Sequence, residues 1–473
     1  MLRFLRGNLL DRYLRQDVLK ESIDPDGTAV RGPHVCLRSP FILFYGFGVL
    51  IAMGTILLWL PFSSQQRDFT LISTAFFTAA SSVTLTGLTI VDTAKYWSVF
   101  GQVTIMVLFF MGGLGFMTLA TFLLIAIRHR ITLADRMLLK DALGERRLGS
   151  VVGLVRSVIV FALVVQLGGF LILYWRLHGI LPPGEAAWQA LFHSVSAFNS
   201  SGFSIAPVSL SLEASGEGFP ILGMMTLIMI FGGIGVTVVW DILRHRQFSR
   251  LALDTRLVLT ATLILWLLGS VVIFVSEYSN PDTLGPSSVV GKLSSAIFHS
   301  VSSRTAGFST IDFGSTQQHT NFFMTGLMFI GGASGSTSGG IKVNTASLVF
   351  LAMLATVLGR SRVQVYRREI AAEQVQRAIA VVVLGVTLIF LVAFILTFTE
   401  GMAFLDVLFE TVSAFGTVGL STGITGDLSF LGKLIIVATM FLGRLGPLTF
   451  AMALSQHQER TTYRYAQEGV RIG

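Results

Sequence analysis

The chain has 473 residues, of which 52% are hydrophobic and only 13% are charged. A water-soluble protein of this length would need far more charge to cover its surface, so the composition excludes that class and predicts a polytopic membrane protein. The formal net charge is +8, but the basic residues lie in loops between apolar segments, which makes them topology signals and disfavours nucleic-acid binding.

The chain begins with a polar, basic segment, residues 1–39, which contains no apolar stretch like that of a cleavable signal peptide. We predict that this segment is cytoplasmic. It includes the single cysteine, Cys36, so the chain can form neither an intramolecular disulfide nor a zinc site built from several thiolates.

Eight apolar segments follow, each long enough for a membrane crossing of about 20 residues. They lie at residues 41–61, 99–127, 152–176, 219–243, 257–276, 321–358 (interrupted), 376–398 and 431–454. Within each consecutive pair lies a shorter segment rich in Ser, Thr and Gly, and these segments contain residues 74–90, 188–206, 293–311 and 405–423. Each is too short and too polar to cross the membrane, so we predict that it re-enters from one face.

Arginine and lysine residues cluster after the second, fourth and sixth spans and in the C-terminal tail, for example Arg128, Arg244, Arg360 and Arg460. The opposite loops hold only scattered basic residues. By the positive-inside rule, both termini and the loops between repeats are predicted to be cytoplasmic.

The four re-entrant segments share one motif: a Phe, a turn rich in small hydroxyl residues, and a Gly followed by Leu or Phe. They are FFTAASSVTLTGLT, LFHSVSAFNSSGFS, IFHSVSSRTAGFST and LFETVSAFGTVGLST, with the motif glycine at Gly87, Gly202, Gly307 and Gly419. A second motif follows each of them: MGGLG, FGGIG, IGGASG and LGRLG. Two motifs that recur four times at similar separations indicate one duplicated unit.

We therefore predict an all-α polytopic membrane protein in which four helix–re-entrant pore loop–helix repeats form a pseudo-fourfold pore. The repeats are assigned to residues 40–130, 150–245, 255–360 and 375–456, and a cytoplasmic tail to residues 457–473.

The chemistry of a cation pore explains the motif glycines. A bare monovalent cation costs on the order of 20 kcal/mol to bury, and rings of carbonyl oxygens replace its hydration shell. Gly tolerates the backbone angles that direct carbonyls inward, and the C-terminal end of a short pore helix favours a cation. The alternative is close helix packing, which explains the GG motifs but not hydroxyl-rich, non-helical segments at membrane depth.

Two further features suggest gates. The sixth span is broken by GASGSTSGG at residues 332–340, which we interpret as a flexible loop within the pore; the alternative is a turn joining two short spans. Arg444 interrupts an apolar stretch at a position occupied by Gly in the other copies, Gly113, Gly233 and Gly332. We interpret it as an electrostatic barrier in the ion path, with a structural ion pair as the alternative.

Three titratable positions on the pore helices are assigned to structure. A guanidinium pointing into the pore would repel cations, so Arg304 is predicted to point behind its strand, with Glu410 as its partner; the alternative is that Glu410 attracts cations directly. His193 and His299 occupy the same column as Glu410 and are predicted to be structural, since no further ligands converge on them.

The motifs SSVTLTGLTIVDT, SAFNSSGF, SSRTAGFST, SAFGTVGLST, GGASGSTSGGIK and GRLGPLTFA together resemble the Trk/Ktr superfamily of potassium-uptake membrane subunits, from Pro40 to about Gln456. GRLGPL and RTAGF look closer to the Ktr branch. The resemblance implies a homodimer in the bacterial cell (inner) membrane, gated by a cytoplasmic ring of nucleotide-binding regulatory subunits. It implies potassium as substrate, sodium as a possible second ion, and no covalently bound cofactor.

Carried over by position, the resemblance assigns an ion-coordinating filter and a gate. The filter residues are Thr84, Leu85, Thr86, Gly87, Asn199, Ser200, Ser201, Gly202, Thr305, Ala306, Gly307, Gly416, Thr417, Val418 and Gly419. The gate residues are Gly332, Ser334, Gly335, Ser336, Ser338, Gly339 and Arg444. Every filter strand departs from the TVGYG of potassium channels, which predicts looser selectivity.

The predicted function is gated potassium uptake, not enzymatic catalysis. The chain has no Walker A or dinucleotide-binding fingerprint, so the driving force is electrochemical. One alternative is the ion-binding subunit of a potassium-pumping P-type ATPase. A membrane-embedded enzyme lacks supporting motifs, and a sodium-coupled metabolite transporter would show inverted repeats, whereas these run in one direction.

Overall fold

The computed structural model describes residues 41–114, 151–206 and 218–446. Within these ranges the regular structure consists of fifteen α-helices, two 3₁₀ turns and one two-stranded hairpin. The predictions for residues 1–39 and 457–473, and for the ends of the second and eighth spans, lie outside the described residues.

The helices are grouped here by the residue ranges predicted for the four repeats. The first contains α1 (Phe41–Trp59), α2 (Ile72–Thr84), α3 (Thr93–Tyr96) and α4 (Val99–Leu114), and the second contains α5 (Val151–Leu177), α6 (Pro183–Asn199), α7 (Gly218–Ile234) and α8 (Val236–His245). The third contains α9 (Leu253–Glu277), α10 (Val289–Thr305), α11 (Gln318–Phe329) and α12 (Val343–Val357), and the fourth contains α13 (Ala372–Glu400), α14 (Phe404–Gly416) and α15 (Phe430–Leu445). The 3₁₀ turns are Pro61–Ser63 and Phe248–Arg250.

A short antiparallel hairpin separates the third and fourth repeats. Strand β1 (Gln364–Val365) pairs with β2 (Arg368–Glu369), with Gln364 opposite Glu369 and Val365 opposite Arg368.

Three of the described helices are long and apolar enough to cross a membrane: Arg156–Leu177 within α5, α9 and α13. Most of each candidate span is unburied, and large apolar side chains such as Trp175 and Phe398 are exposed. Such uniformly apolar, unburied surfaces match a lipid environment. Helices α1, α4 and α12 are shorter apolar helices.

The span predicted at residues 219–243 is not one straight helix. It divides into α7 and α8, which are bent by 94° at Gly235. Gly235 has a φ of 85°, which favours glycine, and a Cβ there would lie 3.2 Å from the Gly335 carbonyl oxygen. The bend therefore depends on this one residue.

Helices α2, α6, α10 and α14, which precede the motif glycines and are called the short helices, have 13 to 17 residues, and most of these residues are buried. Each short helix packs against one helix before it and one helix after it in its own repeat. In the first repeat the helix after it is α4. The helix that follows each short helix also packs on the short helix of the next repeat: α4 on α6, α7 on α10, α11 on α14 and α15 on α2. The last contact joins the fourth repeat to the first, so the packing order closes on itself.

Two carboxylates, the buried Glu277 and the half-buried Glu400, connect the ends of long helices to neighbouring segments. Glu277, at the end of α9, is fully buried and accepts hydrogen bonds from Asn280 Nδ2 and Thr283 Oγ1 (2.7 Å each), Gln317 N (3.0 Å) and Thr320 Oγ1 (2.5 Å). The last two donors lie at the start of α11. Glu400, at the end of α13, binds the backbone N and the hydroxyl of Ser429 at the start of α15 (2.7 Å each). These carboxylates fix the loops that hold the short helices in place.

Candidate functional site

The four short helices end where the sequence predicted filter strands. Three of them end in a left-handed residue, Leu85 (φ 61°), Ser200 (φ 57°) or Thr417 (φ 49°). This is a common way to end a helix, but it is strained for a β-branched residue such as Thr417. The third copy differs, because Ala306 has a φ of −121° in a strand one residue shorter.

The motif glycines lie next to one another in cyclic order. All four have positive φ, from 68° to 95°. A Cβ on Gly87 would lie 3.0 Å from the Cα of Gly202, and the corresponding distances are 3.6 Å from Gly202 to Gly307, 3.0 Å from Gly307 to Gly419 and 3.1 Å from Gly419 to Gly87. No side chain fits in this ring, so both the backbone angle and the close approach require glycine.

Backbone carbonyls fill the space between these glycines. A Cβ on each glycine would meet the carbonyl oxygen that precedes the next glycine of the ring, on Ser201, Ala306, Val418 and Thr86 in turn. The four strands thus bring one carbonyl each to a common level. Such a ring of oxygens can replace the water around a cation.

Serines on the short helices hold the strands from behind. Ser196 Oγ donates to the carbonyl of Phe203 (2.7 Å), and Ser302 Oγ donates to the carbonyl of Phe308 (2.6 Å). In the fourth copy the direction reverses, because Gly419 N donates to Ser413 Oγ (3.1 Å). These bonds orient the peptide groups beside the ring glycines.

The predicted structural column also lies behind the strands. His193 Nε2 lies 2.9 Å from Ser204 Oγ, and His299 Nε2 accepts from Thr310 N (3.1 Å). Glu410 accepts from Thr425 Oγ1 (3.0 Å) and from Ser421 Oγ. Each side chain therefore fixes the segment that leaves the ring, and no group of three or more His, Cys, Asp or Glu suited to a metal occurs among the described residues.

The predicted pairing of Arg304 with Glu410 is wrong. Arg304 points behind its strand, as expected, and is 1% exposed. Its guanidinium donates to the carbonyls of Ile330 (3.2 Å) and Gly331 (2.7 Å), at the end of α11. Free carbonyls at a helix end satisfy a guanidinium well, while the hydroxyls of two neighbouring residues satisfy Glu410.

The glycine pairs of the second motif pack on the short helices, as expected for small residues. A Cβ on Gly112 would meet the Val83 carbonyl, and the same holds for Gly232 with Phe198 and Gly443 with Phe415. In two copies of the motif, the glycine that follows lies against the next repeat: Gly113 packs on Asn199, and Gly233 packs on Thr305. The starts of two filter strands are thus held by glycine contacts.

A loop at residues 331–342, which contains the predicted gate segment 332–340 and is called the gate loop, leaves α11 and returns to α12 through a narrow neck. Gly331 N donates to the Ile341 carbonyl (2.9 Å), and Val343 N donates to the Gly332 carbonyl (3.0 Å). Within the loop, Ser334 and Gly335 are exposed, Ser336 is half-buried, and the other predicted gate residues, Gly332, Ser338 and Gly339, are buried.

The loop crosses beneath the starts of the filter strands. Thr337 Oγ1 lies 3.2 Å from Ser200 Oγ and 3.2 Å from the carbonyls of Phe198 and Gly232. Gly339 packs against Thr417, and a Cβ on Gly340 would lie 3.0 Å from the Cα of Gly416. The loop therefore contacts the strands of the second and fourth repeats.

Arg444 links the loop to the first repeat. Its guanidinium donates to the carbonyl of Thr337 in the loop and to the carbonyl of Gly112 in α4 (2.9 Å). Lys342 donates to the carbonyl of Ser338, the next residue of the loop. Neither cation forms an ion pair with a carboxylate among residues 41–114, 151–206 and 218–446, so the alternative of a structural ion pair is not observed there.

A cavity of about 610 Å³ opens at the glycine ring. All four ring glycines line it, together with hydroxyl and carboxylate side chains that follow the strands, such as Ser309, Thr310, Asp92 and Asp312. The four ring glycines thus border an open, partly polar cavity.

A model of the TrkH family of cation transport proteins matches residues 39–463. This chain belongs to the TrkH family. The assignment confirms the resemblance inferred from the motifs, the membrane location, and transport rather than catalysis as the role.

Several similar proteins cover this TrkH-family chain almost completely. Ktr system potassium uptake protein B from Bacillus subtilis is 41% identical over 92% of this chain and 96% of its own length, and its namesake from Vibrio alginolyticus is 37% identical over 92% and 95%. Potassium/sodium uptake protein NtpJ from Enterococcus hirae is 33% identical over 90% and 96%. The crystal structure of the potassium transporter TrkH from Vibrio parahaemolyticus superposes with a TM-score of 0.68 over 93% of this chain and 88% of that one, and at 19% identity it shows a shared fold.

Two residues of this TrkH-family site were missed by sequence reasoning. Lys342 follows the broken span directly, and a charge at the edge of an intramembrane loop is itself a signal of function. Thr337 carried no signal, because one hydroxyl within GASGSTSGG does not stand out from its neighbours. Its contacts to the second repeat depend on the tertiary fold.

Proposed function

We propose that this chain takes up potassium across the membrane through a pseudo-fourfold pore, whose filter is the carbonyl ring at Gly87, Gly202, Gly307 and Gly419. The observation that carries the proposal is the cyclic contact of the four glycines, each beside the carbonyl that precedes the next. The proposed filter comprises the fifteen residues assigned above, from Thr84 to Gly87, Asn199 to Gly202, Thr305 to Gly307 and Gly416 to Gly419. Four helix C-terminal ends lead into it and favour a cation.

Potassium is the proposed substrate because the relatives that match nearly the whole chain are named for potassium uptake. Sodium is a second permeating or activating ion, as the name of the Enterococcus hirae relative suggests. An inside-negative potential provides about 2.3 kcal/mol per charge per 100 mV, which corresponds to roughly fiftyfold accumulation.

The proposed gate is the loop at residues 331–342 together with Arg444. Its support is the contact of the loop with two filter strands and the tether that Arg444 forms between the loop and α4. In this closed arrangement the guanidinium and the Lys342 ammonium hold carbonyls directly below the filter. A permeating cation would meet their charge, so opening requires the loop to move.

We propose a homodimer in a bacterial inner membrane, with both termini cytoplasmic and a cytoplasmic nucleotide-binding ring that moves the gate. The clusters of arginine between repeats support this orientation. The relatives named as proteins of a Ktr system support a regulatory partner. A pump subunit is not favoured, since these nearly full-length relatives are uptake proteins.

The test is potassium flux into proteoliposomes that contain the purified chain. With an inside-negative potential, and with the regulatory subunit and nucleotide present, we expect ⁸⁶Rb⁺ uptake that unlabelled K⁺ inhibits. Empty liposomes give the background. Absence of such flux in a folded, reconstituted protein contradicts the proposal.

A further inference from the structure

Helix α8 turns through 94° from α7 and has two unlike faces. Val238 is 1% exposed and packs in a small apolar cluster with Val258 of α9, Ala333 of the gate loop and Val343 of α12. On the other face, Trp240 and Leu243 are 54% and 59% exposed. One face of α8 therefore touches the gate loop, and the other has no partner within the described part of the chain.

Three exposed arginines, Arg244, Arg246 and Arg250, lie at the end of α8 and in the turn after it. None of them pairs with a carboxylate among the described residues. Two other exposed arginines are paired, Arg362 with Glu369 (3.0 Å) and Arg377 with Glu373 (2.5 Å). The exposed Arg360, Arg367 and Arg368 form no ion pair among the described residues. Three unpaired arginines therefore lie beside the exposed apolar face of α8.

The turn after α8 is held against the hairpin of strands β1 and β2. The ring of Phe248 meets the ring of Tyr366 edge-on, with centroids 5.9 Å apart. The Arg256 guanidinium lies 5.8 Å from both ring centroids. Tyr366 Oη is 2.7 Å from Thr260 Oγ1. The arginines beside this aromatic contact therefore sit on an ordered surface.

We propose that α8 is an interfacial helix that binds anionic phospholipid. Trp240 and Leu243 enter the boundary between headgroups and acyl chains, and Arg244, Arg246 and Arg250 bind the phosphate-bearing headgroups. A short helix with Trp and Leu on one side and arginines beside them matches this environment, and Trp is enriched there. An acidic protein surface would pair the arginines but would not require the exposed Trp and Leu.

Lipid binding at α8 affects the proposed gate because the opposite face of the same helix contacts the gate loop. Its buried face contacts Ala333, and a Cβ on Gly235 would lie 3.2 Å from the Gly335 carbonyl oxygen. A headgroup that holds the outer face in the membrane plane also holds the surface on which the loop rests. The inference goes beyond the proposed function, and lipid binding is measured without any transport.

The experiment compares the binding of phosphatidylglycerol and phosphatidylcholine to the full chain in neutral detergent, by native mass spectrometry. We expect a preference for phosphatidylglycerol. Arg244→Gln/Arg250→Gln weakens phosphatidylglycerol binding by about thirtyfold, at roughly 1 kcal/mol per basic residue. The matched control, Arg362→Gln/Arg377→Gln, removes the same charge from arginines that are already paired and leaves binding within about twofold of wild type.

Trp240→Ser tests the insertion of the apolar side chains separately from the charge of the arginines. We expect it to weaken the binding of both lipids and to leave the preference for phosphatidylglycerol unchanged. All these side chains are exposed, so unchanged thermal unfolding confirms that the variants fold. The proposal is overturned if the wild type binds both lipids with equal affinity. It is also overturned if Arg362→Gln/Arg377→Gln loses as much affinity for phosphatidylglycerol as Arg244→Gln/Arg250→Gln does. A change of oligomeric state in light scattering, with wild-type lipid affinity, also overturns it and identifies a protein contact instead. A chain that binds lipid as expected but carries no potassium refutes only the proposed function.

Discussion

Arg304 and Arg444 both lie within the helical body, but their surroundings give them different roles. Arg304 is almost fully buried and bonds to two successive carbonyls at the end of α11. Arg444 is half-buried and joins two parts of the molecule, the gate loop and α4. Loss of the first leaves an unfilled buried site, while loss of the second releases a contact that the proposed gate must break to open.

Arg444→Gln is therefore expected to raise potassium flux. A hydrogen bond from a charged donor contributes about 1.5–3 kcal/mol, so losing one such bond from the closed state raises the open population about tenfold or more. The measurement is ⁸⁶Rb⁺ uptake by proteoliposomes without the regulatory subunit. Arg304→Gln is the contrast, since it lowers the yield of folded protein instead. Unchanged flux in Arg444→Gln contradicts its role in the gate.

Gly307→Ala is expected to abolish flux. The new Cβ would collide with the Val418 carbonyl and lie 3.0 Å from the Cα of Gly419, at a positive φ that alanine disfavours. Gly48→Ala is the matched control, because Gly48 is exposed on α1 and a Cβ there has no neighbour within 4 Å. Uptake close to wild type in Gly307→Ala would show that the ring is not the ion path.

The sequence predicts the ring glycines but not every partner around them. A glycine that recurs in four copies identifies its own position, because only glycine satisfies a positive φ and a close backbone approach together. The partner of Arg304 could not be found this way. Its two carbonyls belong to Ile330 and Gly331, and any residue supplies a carbonyl, so the pattern carries no trace of the contact.

At the scale of elements, the gate loop is shaped as an insertion between two helices. Its ends lie together, because Ile330 and Ile341 form a parallel bridge and Gly331 N bonds to the Ile341 carbonyl. The neck can therefore persist when the tip of the loop is removed. Thr337, in the tip, makes the contacts to the second repeat, whereas Gly339 and Gly340 contact the fourth.

Deletion of residues 333–338 is expected to raise potassium flux while the chain stays folded. The deletion removes Thr337 and its three hydroxyl contacts with the second repeat, and it leaves Arg444 without its loop carbonyl. The readouts are ⁸⁶Rb⁺ uptake and growth at limiting potassium. Thr337→Val is a milder version that removes only the hydroxyl and should give a smaller rise. A folded deletion variant with wild-type flux contradicts the assignment of the loop as a gate.

Glu277→Ala is expected to lower the thermal stability of the solubilised protein strongly. Four donors lose a buried charged acceptor, and each unsatisfied buried group costs about 1–3 kcal/mol. Glu400→Ala is the control, because this carboxylate is half-buried, and water can replace it as the acceptor for its donors, Ser429 and Thr399. Thermal unfolding in detergent measures both. Equal shifts in the two variants would contradict the role given to burial.

The ends of the helices could be predicted where the length of an apolar segment determines them. The spans expected at 257–276 and 376–398 correspond to α9 and α13, which are a few residues longer. The span expected at 219–243 is broken at Gly235, because hydropathy does not register a backbone angle. The glycine was visible in FGGIG, but the need for a bend arises from the gate loop of another repeat, which packs against it.

At the scale of the whole molecule, the four proposed repeats are similar but not equal. The filter strands differ in sequence, and the third differs in backbone, since Ala306 does not adopt the left-handed conformation of Leu85, Ser200 and Thr417. The fourth repeat closes the ring by packing α15 on α2, and it has Arg444 where the other copies have Gly113, Gly233 and Gly332. A single chain can thus assign separate tasks to positions that a homotetramer must keep identical.

This inequality predicts modest selectivity between potassium and sodium. Discrimination depends on the number and field strength of the carbonyls around the ion, and four unlike strands cannot present four equal carbonyls. Each loss of about 1.4 kcal/mol in discrimination admits sodium about tenfold more readily. We expect measurable ²²Na⁺ entry and competition of Na⁺ with ⁸⁶Rb⁺ uptake in the same proteoliposomes. Gly307→Ala should abolish both fluxes if both ions pass the ring, whereas sodium entry that survives in this variant would place sodium on a separate path.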